Sequence, residues 1–79
     1  MEEFKVIDKI VREDGVEFFV DDFVRHFKGN IYRIKGFARD CETLDIYVIY
    51  KDINKSLIWS RRVEDFISKK GDVWRFEHI

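Results

Sequence analysis

Proline is missing from all 79 residues, and cysteine occurs once, at Cys41. Average usage would give about four prolines in a chain of this length, so a proline-rich linker is excluded. A single cysteine cannot form an internal disulfide, which excludes a disulfide-stabilised scaffold and favours a reducing, cytoplasmic setting. Leucine, alanine and methionine together total only four residues, and a helical bundle would need many more of them.

Several functional signals are also missing. No apolar run approaches the roughly 20 residues that cross a bilayer, and Glu2 and Glu3 open the chain where a signal peptide would be basic and then apolar. We therefore expect a cytoplasmic protein with no membrane partner. The positions of His26, His78 and Cys41 lack the paired spacing of metal ligands, and no phosphate-cradling glycine motif occurs, so we expect neither metal nor cofactor.

Residues that favour strands dominate the composition. Val, Ile, Phe, Tyr, Trp and Thr make up 32 of the 79 residues, and these types suit pleated, half-buried surfaces. Short apolar runs are separated by turn-forming segments. The clearest of these segments are Asp14-Gly15, Gly29-Asn30 and Lys70-Gly71-Asp72. The pattern predicts an all-β protein.

The order of the runs predicts a small SH3-like barrel of five strands, with an N-terminal hairpin extension and one short helical turn. A chain of this size has room for one domain. We expect a single domain over residues 1–79, in which 1–20 form the extension and 21–79 the barrel. The helical turn is predicted at residues 62–68, just before the last strand. Closure of the barrel would remove the exposed edges that proline protects in other β proteins.

Two interpretations remain open for residues 4–11. Their Ile and Val content favours a strand, but their apolar spacing also fits a helical stripe. We favour the strand. A two-residue turn at Asp14-Gly15 would then place Arg12 opposite Glu17, a favourable pair of opposite charges.

The charges are strongly segregated, although the net charge is only −1. Residues 23–39 contain five basic residues and no acidic one. Alternation along residues 31–39 predicts that the basic side chains face outward, with an aromatic residue among them. Such a face suits nucleic acid, and the alternative is that the charges pair with acids on neighbouring strands. The residues of this candidate face are Arg25, Arg33, Lys35, Phe37 and Arg39.

One resemblance covers most of the chain. The segment R-H-F-K-G-N-I-Y at 25–32 resembles the R-H-F-K-G-x-x-Y opening of small bacterial proteins catalogued as domain of unknown function 1653. Later segments resemble the same family in order and spacing, so that the agreement spans residues 21–77. They are A-x-x-x-E-T at 38–43, V-x-Y at 48–50, W-x-R at 59–61 and R-F at 75–76.

The chain also departs from the pattern of that family. Asp40-Cys41 stands where the family tends to have His-Ser, Arg62 where it has proline, and Asp65 where it has methionine. A role that depended on that second histidine or on the proline would not carry over to this chain. The family has no established activity, so the resemblance implies one compact domain and says little about chemistry.

A second candidate site consists of polar residues and a tryptophan within the family-like segments. A tryptophan beside Arg and Lys could bind a carboxylate, a phosphate or a peptide. The alternative is structural: Glu42-Thr43 would cap a turn, and Trp59 would lie in the core with Arg61 stacked on it. The candidate ligand-binding residues are His26, Lys28, Glu42, Thr43, Trp59 and Arg61.

Catalysis has the weakest support. His26 could form a nucleophilic pair with Cys41 or an acid–base pair with Glu42, but no motif for stabilising an oxyanion accompanies them. The sequence therefore predicts a non-catalytic module that recognises a protein or peptide. Nucleic-acid binding is the alternative, and an uncharacterised enzyme comes third. The oligomeric state is left open.

Overall fold

The computed structural model describes residues 6–79, which form mostly β-strands and one short helix. The all-β prediction is confirmed. In chain order the elements are β1 (Lys9–Val11), β2 (Glu17–Phe19), β3 (Phe23–His26), β4 (Ile31–Arg39), β5 (Ile46–Asp52), β6 (Ile58–Arg62), α1 (Val63–Phe66), β7 (Lys69–Lys70), β8 (Val73–Trp74) and β9 (Phe76–His78).

The main sheet has five antiparallel strands in the order β6-β5-β4-β3-β9. Strands β3 to β6 follow one another as a meander, and β9 returns to pair with β3. The helix α1 lies within the predicted helical turn at residues 62–68 and leads into the small β7–β8 hairpin. The expected closure into a barrel is not found among residues 6–79, because β6 and β9 form the two edges of this sheet.

The N-terminal hairpin forms, but its register differs from the prediction. Part of the strand predicted at 4–11 lies outside the described residues, and within them β1 is a strand rather than a helix. Val11 pairs with Glu17, so the turn is longer than two residues. Gly15 adopts a positive φ of 90°, as longer hairpin loops require of one residue. The predicted pairing of Arg12 with Glu17 is wrong, and Lys9 is the cation that pairs with Glu17.

A β-bulge in β4 overturns the predicted alternation. The ladder between β4 and β5 shifts by one residue between Ile34 and Gly36, and one extra residue exchanges the two faces of everything that follows. Phe37 therefore packs against the core, whereas Ala38 is exposed. The prediction that Phe37 lies outward among the basic residues is wrong for this reason.

The hydrophobic core draws on both the hairpin and the main sheet. Phe18 from β2 is fully buried, and its ring meets Phe66 of α1 edge-on at 5.6 Å. Phe66 in turn stacks on Phe76 of β9, with ring centroids 4.1 Å apart. The segment predicted as an extension, residues 1–20, thus supplies core residues. The buried core consists of Ile10, Phe18, Val24, Ile34, Val48, Tyr50, Phe66 and Phe76.

A buried arginine fastens the hairpin to the last strand. Arg12 is only 4% exposed, and its guanidinium donates to the carbonyl oxygen of Phe76 at 3.0 Å. The carboxylates of Asp14 and Glu77 accept from the same group at 2.8 and 2.6 Å. Because a buried charge needs partners of this kind, the position of the hairpin against β9 is specific.

Candidate ligand-binding site

The turn between β3 and β4 faces β6 across a pocket of about 260 Å³. Strands β3 and β6 are separated by two strands in the sheet, so the sheet must curve strongly for both to line one cavity. Four of the six predicted ligand-binding residues line it, namely His26, Lys28, Trp59 and Arg61, and they are joined by Asn30, Tyr32 and Tyr50. None of these seven residues is acidic.

Three aromatic residues form one wall of the pocket. Tyr50 on β5 is 5% exposed, and its ring meets Tyr32 edge-on at 5.1 Å. Trp59 lies directly across from Tyr50 in the β5–β6 ladder but is 49% exposed. The alternative that placed Trp59 in the core is therefore wrong, and this residue forms the exposed rim of the pocket.

Arg61 holds a fixed position beneath that rim. Its Nε donates to the hydroxyl of Tyr50 at 3.2 Å, and its Nη1 donates to Asp65 at 2.6 Å. Asp65 also faces Arg75, whose Nη2 lies 3.5 Å from the second carboxylate oxygen. One carboxylate thus serves two guanidinium groups, which leaves this side of the pocket with an excess of positive charge.

His26 lines the pocket and uses one ring nitrogen as an acceptor. Its Nδ1 accepts a hydrogen bond from the backbone N–H of Lys28 at 3.2 Å. Burial lowers the pKa of His26 below its ordinary value, and the cations Arg61, Arg75 and Lys28 lower it further. In the neutral ring, Nε2 therefore carries the hydrogen and is available as a donor.

Glu42 and Thr43 lie at the opposite end of β4. The carboxylate of Asp40 accepts hydrogen bonds from their backbone N–H groups at 2.8 and 2.9 Å, and these bonds hold the pKa of Asp40 below its ordinary value. The hydroxyl of Thr43 accepts from the N–H of Asp45 at 3.2 Å. These two residues shape the β4–β5 turn, and the prediction that they share one cluster with His26 and Trp59 is wrong.

The same geometry separates the residues of the catalytic alternative. Cys41 is exposed and lies with Glu42 in the β4–β5 turn. His26 lies beside the turn at the other end of β4, which spans nine residues, or about 30 Å for an extended strand. The structure brings His26 next to neither Cys41 nor Glu42.

The candidate nucleic-acid residues divide into two groups. Arg33 lies opposite Phe23 on one side and opposite Lys51 on the other, and a cleft of about 240 Å³ is lined by these residues together with Lys35. Asp21 pairs with Arg33 at 3.1 Å. Phe23 and Lys51 also line this cleft. The sequence did not predict them, because only the strand register shows that they face outward.

The remaining basic residues lie elsewhere. Arg39 donates to the carbonyl oxygen of Leu44 at 3.1 Å, at the far end of the β4–β5 hairpin. Arg25 pairs with Glu77 of β9 in the ladder and lines a separate cavity. A single basic stripe along β4 is therefore not formed.

The described part of the chain contains neither a membrane-spanning helix nor a metal-binding cluster of side chains. No helix within residues 6–79 is long and apolar enough to cross a membrane. Nor do three or more His, Cys, Asp or Glu side chains of these residues gather where a metal ion would need them.

One family comparison found a match that covers most of the chain. A family model described as "Protein of unknown function (DUF1653)" matches residues 22–78. The chain belongs to the DUF1653 family. This confirms the resemblance seen in the sequence, and the matched segment contains every residue that lines the pocket. The DUF1653 match begins after the β1–β2 hairpin, although that hairpin contributes to the core. No curated protein and no solved structure matches the chain significantly.

Proposed function

We propose that this chain is a non-catalytic module that recognises a protein partner by binding an acidic group of a peptide in the pocket. One observation carries the proposal: the pocket joins His26, Lys28 and Arg61 to an exposed tryptophan and contains no carboxylate of its own. The one carboxylate of residues 6–79 bonded to these donors, that of Asp65 on Arg61, is shared with Arg75. An acidic side chain or a terminal carboxylate from a partner would therefore meet an excess of positive charge.

The exposed tryptophan favours a peptide over a small free anion. Hydrogen bonds to a charged group contribute roughly 1.5–3 kcal/mol each, and the half-exposed Trp59 offers the kind of aromatic surface that dominates binding interfaces. The volume of about 260 Å³ suits one acidic side chain rather than a whole ligand of drug size. The rest of the peptide would then lie along the surface beside β6.

We propose that the strands have an SH3-like order, without the barrel closure that the sequence predicted. In the SH3-like interpretation the last strand returns to pair with the first strand of the meander, after a helical turn. Here β9 pairs with β3 after α1 and the β7–β8 hairpin. A bacterial cytoplasm is the proposed setting, since the resembled proteins are bacterial and Cys41 is a free, exposed thiol.

Selection from a random dodecapeptide library on the immobilised protein tests the proposal. We expect the enriched peptides to share an Asp, a Glu or a free C-terminus, and to bind roughly tenfold more weakly to Trp59→Ala and to Lys28→Ala, each of which removes one pocket group. Val73→Ala is the matched control, because Val73 is 52% exposed and lies outside this pocket. Enrichment without acidic groups, or equal binding by all variants, would contradict the proposal.

Nucleic-acid binding is the second candidate. Arg33 and Lys51 lie directly opposite one another, and Phe23 flanks Arg33. Asp21 pairs with Arg33, so one carboxylate offsets part of the positive charge, and a phosphate would offset the rest. Binding of a fluorescent single-stranded DNA 20-mer should then weaken steeply with salt. Replacing both basic residues with alanine should abolish it, whereas Lys69→Ala should not. Failure to bind at low salt would exclude this candidate.

A further inference from the structure

The two edges of the main sheet differ in whether another part of the chain covers them. At the β9 edge, Arg12 donates to the carbonyl oxygen of Phe76 at 3.0 Å, and a ring nitrogen of His78 lies 2.6 Å from the carbonyl oxygen of Glu17. The N-terminal hairpin thus covers that edge. At the other edge, β6 pairs only with β5, and no further strand of residues 6–79 lies beside it.

The register defines which backbone groups of β6 are open. The N–H of Asp52 donates to the carbonyl oxygen of Leu57 at 3.2 Å. Hydrogen-bonded and non-hydrogen-bonded pairs alternate along an antiparallel ladder, so Trp59 and Arg61 also bond to β5. The N–H and C=O groups of Ile58, Ser60 and Arg62 therefore point away from the sheet.

The first half of this edge is apolar and exposed. Leu57, Ile58 and Trp59 are 51%, 62% and 49% exposed. The β5–β6 ladder runs without a register shift, and β6 contains no proline, so it lacks two devices that commonly protect an edge. Its first charged residue, Arg61, is turned to Asp65. The charged residue at its end, Arg62, is engaged with Asp45 at 2.6 Å.

We propose that the open edge of β6 receives an extended, acidic segment of a protein partner as an added strand. This inference rests on the proposed function, since the acidic side chain of that segment enters the pocket. Residues of an added strand that lie opposite Trp59 or Arg61 project onto the same face as those side chains, about 5 Å away. Backbone pairing thus supplies affinity, and the pocket selects the acidic residue.

Charge complementarity favours an acidic segment over a second copy of this chain. Two copies paired edge to edge would bring together two pockets that each carry Lys28 and Arg61, with the single carboxylate of Asp65 divided between Arg61 and Arg75. Like charges facing one another across a ladder are unfavourable. An acidic strand meets the same edge with opposite charge.

The decisive variant is Ser60→Pro, tested on the full chain with the most enriched dodecapeptide from the library as the probe. Proline removes an N–H that points outward, and edge strands tolerate it. We expect Kd to rise roughly tenfold through loss of one hydrogen bond. The matched control Ser60→Ala keeps the N–H and should bind like the wild type. Amide NMR spectra verify that each variant is folded.

A second measurement keeps the inference testable if Ser60→Pro fails to fold. The wild-type protein is titrated with versions of the same dodecapeptide that are N-methylated at one residue each. We expect methylation to weaken binding at alternate residues only, because alternate amides of an added strand face β6.

The outcomes separate the two proposals. Unchanged binding to Ser60→Pro and to every methylated peptide, combined with weaker binding to Trp59→Ala, would overturn strand addition and leave the pocket proposal intact. A library without enriched peptides would overturn both. Self-association of the wild type that Ser60→Pro abolishes, measured by sedimentation, would replace the acidic segment with a second copy as the occupant.

Discussion

The guanidinium carbon of Arg12 lies 4.0 Å from the ring centroid of Trp74. Through this stacking, a residue of the first hairpin contacts the small β7–β8 hairpin near the other end of the chain. The same guanidinium is bonded to the backbone of β9, so one side chain connects three separate elements. The contact explains why the N-terminal residues are integral to the fold although the family match begins after them.

Arg12→Ala should lower the free energy of unfolding by about 1–3 kcal/mol, because it leaves the buried carbonyl oxygen of Phe76 unpaired. Urea denaturation measures this loss. The control is Lys9→Ala, which removes an exposed ion pair to Glu17 and should have a much smaller effect. Equal effects of the two substitutions would show that the buried cluster does not fasten the hairpin.

Phe18→Ala should destabilise the protein by about 3–5 kcal/mol, the usual cost of removing a fully buried phenylalanine. The neighbouring residue offers a close control: Phe19 is 43% exposed, and Phe19→Ala should cost less than about 1 kcal/mol. Thermal or urea unfolding compares the two. If Phe18→Ala were as mild as Phe19→Ala, the hairpin would be an appendage rather than a part of the core.

Binding of an acidic peptide should strengthen as the pH falls from about 7.5 to about 5.5. Burial keeps the pKa of His26 below its ordinary value in the free protein, and a bound carboxylate would favour the protonated ring, so binding takes up a proton. The peptide carboxylate stays ionised over this range. Titration of the enriched dodecapeptide at several pH values measures the effect. His26→Gln should remove it, and an unchanged pH dependence in that variant would refute the assignment.

Stability should fall as the pH drops below about 4, in part through the β4–β5 turn. Backbone N–H groups of Thr43 and Glu42 hold the pKa of Asp40 below its ordinary value of 3.8. A lowered pKa contributes stability that is fully present above the ordinary value and is lost as the pH falls through the lower, folded value. Asp40→Asn keeps the accepting oxygen, so its melting temperature should depend less on acid than that of the wild type. Identical acid profiles in calorimetry would contradict this.

Much of the fold could be predicted because its signals are local. Gly15 and Gly29 adopt positive φ values at turns that the residue types themselves indicate. The spacing of the apolar residues likewise predicted the position of α1. The bulge in β4 lies beside Gly36, a residue type that often marks a bulge inside a strand, but regular alternation assigned Gly36 to the inner face. Because the bulge exchanges the two faces of β4, the predicted outward position of Phe37 is wrong, and the basic residues do not form one face.

The candidate site was predicted in part, for a related reason. His26, Lys28, Trp59 and Arg61 stand in segments that resemble the family, and the structure places all four around one pocket. Glu42 stands in a similar segment but lies at the other end of β4. Tyr32 and Tyr50 were missed as pocket residues because alternation assigned them to the core, and they in fact serve both the core and the pocket wall.

The sequence by itself determined the all-β class, the positions of most turns and the family, because these depend on residue types and short-range spacing. Only the tertiary structure decided that no strand within residues 6–79 pairs with the outer side of β6, that the N-terminal hairpin covers β9, and that His26 and Trp59 line one cavity. Those features depend on the curvature of the sheet and on the register of its strands, and every strand contributes a little to both. No single segment of the chain carries that information.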